Sequence, residues 1–202
     1  MGWRTPMRLN DSLRAELRQE VKAERFDITP KGVYFPRNGI NVNGEYFARV
    51  NGGGWEKEGD NLVVNEGLVH VLNVALGATA KPAGYFLALF SGSTTPAANW
   101  TAASFAAVAN EIVSQTEGYT GATRPAWTPA TATTGSIDNL ASAAQMTIAT
   151  SGTLNVTGAA LLTSSQRGGT TGVLVSASAF AAPRVFQAGD LYELGYRLNA
   201  TV

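Results

Sequence analysis

His70 is the only histidine among 202 residues, and the chain has no cysteine. A zinc site would therefore need Asp and Glu for most of its ligands, against the usual nitrogen and sulfur donor set. Disulfides and thiolate catalysis are excluded outright, which fits folding in a reducing cytoplasm. His70 lies within an apolar run with helical spacing, where a packed or hydrogen-bonded imidazole is commoner than a general base. No G-x-S-x-G elbow is present to place a strained serine nucleophile beside it. Glu111, Glu117, Asp138, Asp190 and Glu193 are the candidates for a glycosidase-type carboxylate pair. Each stands alone in its segment, without the aromatic cluster a sugar site needs. Glu111 with Arg124, and Asp190 with Arg197, read better as structural ion pairs. Gly52-Gly53-Gly54 is followed by Trp55 rather than Lys-Ser/Thr, so it is a loop and not a phosphate cradle. The face made by Arg14, Arg18 and Lys22 is the only basic stripe, and neighbouring glutamates cancel much of its field. These residues predict no enzyme, no cofactor, no metal and no direct contact with nucleic acid.

The charge distribution carries more information than any motif. Ten of the 15 basic and nine of the 15 acidic residues lie in positions 1–60, leaving eleven charged groups in positions 61–202. A free soluble domain normally carries roughly a quarter charged residues, which keep it soluble and monomeric. A body of Ala, Thr, Ser, Gly and Val suits a part packed against copies of itself or a larger assembly. The net charge is zero, so no global field recruits nucleic acid or an anionic membrane. No apolar run approaches the roughly 20 residues of a membrane span. The start, MGWRTPMRLNDS, has no apolar core of a secretory signal, and Pro6 stands where N-myristoylation wants Ser or Thr. Without such a signal, the sequons at Asn99, Asn155 and Asn199 mean little.

The elements follow from periodicity and punctuation. Residues 10–25 predict a helix capped by Asn10 or Asp11, with Leu13, Leu17 and Val21 at i, i+4 and i+8. Glu16, Glu20 and Glu24 line one side of that stripe, and Arg14, Arg18, Lys22 and Arg25 the other. This is either an ordinary surface helix or an arm that docks on a partner. Strands are expected at Gly32–Phe35, Ile40–Val42 and Glu45–Val50, with Asn43-Gly44 as a type I′ hairpin turn within a hairpin spanning 33–50. A second helix is expected over Asn65–Leu76, with Leu68, Val71, Leu72 and Leu76 on one face and Gly77 as C-cap. Further strands are expected near 84–90, 110–119, 143–149, 153–163, 172–180 and 190–199. The Ala-rich stretch 97–109 reads as a short helix or an ordered loop. Strands with turn-rich spacers and no alternating helices predict a mainly β fold, an antiparallel sandwich or barrel. The expected domains are a charged N-terminal arm, 1–60, and a β body, 61–202.

Four segments in this order resemble a family of tailed-bacteriophage virion proteins encoded among head genes. They are NLVVNEGLVHVLNVAL (61–76), GYFLALFSGSTTPAANWTAASF (84–105), ANEIVSQTEGYTGATRPAW (109–127) and GGTTGVLVSASAFAAPRVFQAGDLYELGYRLNA (168–200). The similarity spans about 61–202 and rests on segment order, not on a catalytic motif. It implies a β-sandwich repeated on a symmetric particle, without enzymatic activity. The expected role is head decoration (cement), made in the host cytoplasm and residing in the virion as a homo-oligomer against the major capsid protein. Alternatives are a head–tail adaptor or tail/fibre anchor touching portal or tail proteins, and a carbohydrate- or receptor-binding module using Trp100, Tyr119 and Trp127. In the leading reading the arm contacts its partner through Leu13, Leu17 and Val21. Arg14, Arg18 and Lys22 supply charge, and Tyr34, Phe35, Phe47 and Trp55 are larger anchors.

Overall fold

The computed structural model describes residues 41–132 and 134–201, the short strands at 27–29 and 32–34, and the isolated positions Arg14 and Arg18. Residues 41–201 form one compact unit and residues 1–40 belong to another. In the N-terminal unit, β1 (Asp27–Thr29) pairs antiparallel with β2 (Gly32–Tyr34), Ile28 facing Val33 across the register. Arg14 and Arg18 are helical and exposed, as the periodicity of 10–25 predicts for those two positions. Leu13, Leu17, Val21, Lys22 and Phe35 lie outside the described residues.

The larger unit contains β3 (Asn41–Val50), β4 (Glu56–Val63), helix α1 (Asn65–Ala75), β5 (Tyr85–Phe90), helix α2 (Ala102–Val108), β6 (Gly118–Tyr119) and β7 (Ala126–Trp127). It continues with β8 (Ser136–Asp138), a 3-10 turn at Leu140–Ser142, β9 (Ala144–Ala149), β10 (Leu154–Leu162), β11 (Leu174–Phe186) and β12 (Leu191–Thr201). The strands form one curled antiparallel sheet, a half-barrel, in the order β6-β9-β12-β3-β4-β11-β10-β5-β7, with β8 also pairing β12. The mainly β fold expected from the strand and turn signals is therefore what this chain adopts.

Period-two alternation places the core. Tyr46 and Ala48 of β3, Met146 and Ile148 of β9, and Tyr192, Leu194 and Tyr196 of β12 fill the inside of the curl. Past Gly158, β10 is buried on both faces. Ala159 and Leu161 join the inner core, whereas Ala160 and Leu162 join a second cluster outside the sheet with Phe90, Trp100 and Phe105. That outer cluster is covered by α2, the Ala-rich stretch that reads as helix or loop. Thr101 and Ser104 cap it reciprocally, and the Phe105 ring stands 6.1 Å from that of Phe90.

The expected strand at 110–119 is reduced to β6 and an isolated bridge between Glu111 and Phe90. Its carbonyls go to a side chain instead of a neighbouring strand. Arg167 donates to the carbonyls of Ile112, Ser114, Tyr119 and Gly121, at 3.2, 2.7, 3.0 and 2.6 Å. One segment thus supplies both β6, on β9, and β7, on β5, so both edges of the curl are blunted by two-residue strands.

Asn43-Gly44 is not a turn. It runs inside β3, where Gly44 pairs with Leu198 and Asn61. A Cβ at Gly44 would lie 2.3 Å from the Tyr196 hydroxyl and 2.5 Å from the Asn61 amide nitrogen. Glycine here clears room for the Asn61 amide to donate to Tyr196 at 2.6 Å. The true hairpin turn is Asn51-Gly52, both with positive φ (51° and 73°), closed by Gly53 N–H donating to Val50 O at 2.9 Å. The boundary that charge places at residue 60 consequently falls inside β4, and residues 41–60 belong to the β3–β4 hairpin of the larger unit rather than to an arm.

Helix α1 lies directly on β11 through Gly67, where a Cβ would meet the Val175 carbonyl oxygen at 2.0 Å. Gly67→Ala gains intrinsic helix propensity of about 1 kcal/mol but forces the helix off the strand, an overpacking cost of roughly 1–3 kcal/mol. The expected outcome is a net loss of stability with faster amide exchange confined to α1. Unchanged exchange there would mean that the helix is not seated on β11.

Candidate interaction surface

The face that α1 turns to the sheet is not the one its leucines line. Gly67 and His70 are buried and Val71 and Val74 half-buried, whereas Leu68, Val69, Leu72 and Leu76 are exposed, Leu72 by 59% and Leu76 by 85%. Periodicity identifies the apolar stripe but not the side on which its partner stands. Polar anchors hold the helix instead. The Glu66 carboxylate accepts from Ala102 N–H at 2.8 Å and Leu174 N–H at 2.7 Å, tying the start of α1 to the start of α2 and to β11. His70 Nε2 and the Tyr85 hydroxyl are 3.1 Å apart, with the rings edge to face. Isolated surface leucines need no explanation, but an outward aliphatic stripe on a helix does.

Burial lowers the His70 pKa from its ordinary value, with the nearby Glu66 carboxylate opposing the shift. A base depressed in the folded state is neutral there while the unfolded chain takes up the proton first. The seat of α1 should therefore be complete above the ordinary imidazole range and weaken as pH falls through it. Amide exchange in α1, corrected for intrinsic rates, is expected to rise severalfold from pH 7.5 to 5.5, and His70→Phe should flatten that dependence.

All but one of the charges in 61–202 find partners within the described residues. Glu111 and Arg124 form a bidentate pair at 2.7 and 2.7 Å with both side chains fully buried, and Glu111 also accepts from Gly168 N–H at 2.9 Å. Arg49 bonds Glu193 at 2.6 and 2.8 Å, holding the Glu193 carboxyl below its usual range. Arg184 bridges Glu58 and Glu56. The expected pairing of Asp190 with Arg197 does not occur. Arg197 bonds Asp138 at 3.0 Å, because β8 pairs β12 at that position. Asp190 accepts from Gln187 N–H and the Asn51 amide, which depresses its pKa. Glu117 likewise accepts from Thr150 and Ser151. Of the eleven ionised groups in 61–202, only Lys81 has no ion-pair or hydrogen-bond partner among the described residues.

The expected anchors are distributed unevenly. Phe47 is half-buried on the convex face of β3 with the Arg197 guanidinium 5.0 Å from its ring centroid, and Trp55 lies 4.8 Å under Arg49. Both rings are already covered by a cation of their own chain. Tyr34 belongs to β2. The three aromatics available for sugar stacking are core residues. Trp100, Tyr119 and Trp127 are all buried, and Trp127 Nε1–H donates to Tyr196 O at 2.9 Å. Their turn-rich flanks look like surface loops in sequence, while their volume is used inside.

Beside α1 the inner core opens into a pocket of about 560 Å³. Val71 and Val74 of α1 form one wall, the 81–84 loop and Trp127 the other, and Leu161, Val175 and Leu198 the floor. Tyr85 and Trp127 stand edge to face at 5.9 Å along its side. Among the described residues, no cluster of His, Asp and Glu has the makings of a metal site, and no helix is long and apolar enough to cross a membrane.

No family model matches the chain, and no curated protein matches it in sequence.

Proposed function

We propose that this chain is a non-enzymatic structural subunit of a tailed-bacteriophage particle, a head decoration (cement) protein that binds through subunit–subunit contacts. The observation carrying this reading is the outward aliphatic stripe of α1, Leu68, Val69, Leu72 and Leu76, on a body whose charges, Lys81 apart, are spent on internal partners. Such a face contains no ionisable group, so it selects a partner face that has none. The body of a second copy offers that surface, and contact between copies leaves few charges to desolvate at cost. Repetition on a symmetric particle multiplies each weak contact through avidity.

The arm is the second element of the proposal. Leu13, Leu17 and Val21, flanked by Arg14, Arg18 and Lys22, would engage the major capsid protein. Residues 1–26 lie outside the compact unit 41–201. With them removed, the truncated chain is expected to keep its cooperative thermal transition and to lose binding to undecorated heads in a co-sedimentation assay. Undiminished binding would rule the arm out as the docking element.

A further inference from the structure

The pocket beside α1 is lined mainly by apolar atoms, yet it holds the one cation of the body without a partner among the described residues. Its floor, Leu161, Val175 and Leu198, belongs to or packs against the inner core, and its wall is the side of α1 opposite the outward stripe. Lys81 is the only ionised side chain among the lining residues. It is exposed at the rim, in the loop between α1 and β5. The other ten ionised groups of 61–202 each bond a carboxylate, a guanidinium, a peptide group or a polar side chain of this chain. The Tyr85 hydroxyl on the same wall is occupied by His70.

We propose that this pocket binds a small amphiphile with an unbranched acyl chain and a single carboxylate. The chain lies between α1 and the sheet floor, and the carboxylate pairs with Lys81 at the mouth. The volume falls in the roughly 300–1,000 Å³ range of small-molecule sites, which combine apolar walls with few polar groups. It accommodates an acyl chain on the order of ten carbons. An ammonium group without a partner among the described residues, at the rim of a mainly apolar cavity, favours a monoanion over a cation or a neutral head, because only the monoanion neutralises it. This site is distinct from the outward face of α1 and stands whether or not the chain decorates a particle.

The test is titration calorimetry on the full chain with decanoate, decylammonium and decanol, each kept below its aggregation concentration. Decanoate is expected to saturate at one per chain and to bind at least about tenfold more tightly than decylammonium. Octanoate should bind roughly tenfold more weakly than decanoate, since two methylenes leave the pocket. Lys81→Glu should reverse the order of decanoate and decylammonium without altering the melting curve. Val74→Trp, or Ala75→Trp should the first fail to fold, fills the cavity from the helix and should abolish binding of all three. Any of three results overturns the proposal: no saturable decanoate binding, equal affinity for the two charged heads, or retained binding in a folded pocket-filling variant.

Discussion

Glu111→Ala is expected to cost about 3–5 kcal/mol of folding stability, the usual penalty for removing one partner of a buried ion pair. Arg124 would be left fully buried with a charge and only the Ser164 carbonyl, at 2.9 Å, to bond. Gly168 N–H would lose its acceptor as well. Against a total stability of roughly 5–15 kcal/mol for a domain, this single change removes a large share. Urea unfolding should show the midpoint falling with little change in slope. The double variant Glu111→Leu with Arg124→Met should recover much of the loss, since an apolar pair of similar volume carries no desolvation cost. A loss below about 1 kcal/mol in the single variant would place the pair among weak, solvent-screened bridges. The pair also decides how the half-barrel is finished. Glu111 starts the segment that supplies β6 and β7, and Arg124 N–H donates to Ser165 O at 2.8 Å. The bridge thus pins the strip of chain that blunts both sheet edges, a structural role for two groups that would otherwise suggest chemistry.

Leu72→Glu with Leu76→Glu should leave the isolated fold within about 0.5 kcal/mol of its starting stability, because both side chains are exposed. Contact between copies should fall far more. Each leucine fully buried at an interface contributes roughly 1.5–3 kcal/mol, so losing both corresponds to at least about a hundredfold in affinity. The two new carboxylates add a desolvation cost on top. Sedimentation of decorated heads, with and without the substitutions, reads the effect as lost occupancy. A variant that melts early would instead show that the stripe belongs to the fold of its own chain. Full occupancy by a folded variant would show that copies do not meet through α1.

Much of the architecture is legible in the residues, and the failures share a physical cause. Strands β5, β9, β10 and β12 fall close to where alternation and turn clusters put them, because each buries at least one face of the sheet. The Glu111–Arg124 bridge is readable because two lone opposite charges in a neutral body have few other partners. Tertiary geometry overrides local signals elsewhere. Asn43-Gly44 carries turn chemistry, but Gly44 is there for the close approach of Tyr196. Asn51-Gly52 carries the same chemistry and does turn. The helical period of 65–76 locates α1, yet a glycine and a histidine, both weak apolar signals, mark its buried side. Arg197 takes Asp138 rather than Asp190 because β8 comes alongside β12, a pairing that three residues do not announce. Charge density separates two sections at residue 60, whereas Glu45 and Arg49 of β3 and Glu56, Lys57 and Glu58 of β4 bond across strands and these strands still join the sheet.

Copy number in purified particles bears most directly on the idea that this neutral body exists to be covered by neighbours. Quantitative mass spectrometry of this polypeptide against the major shell protein should return hundreds of copies per head, a fixed small-integer ratio to the shell subunit. Six or twelve per particle would move it to the portal axis or tail, and its absence from particles, with the free chain a stable monomer, would contradict the assembly role altogether.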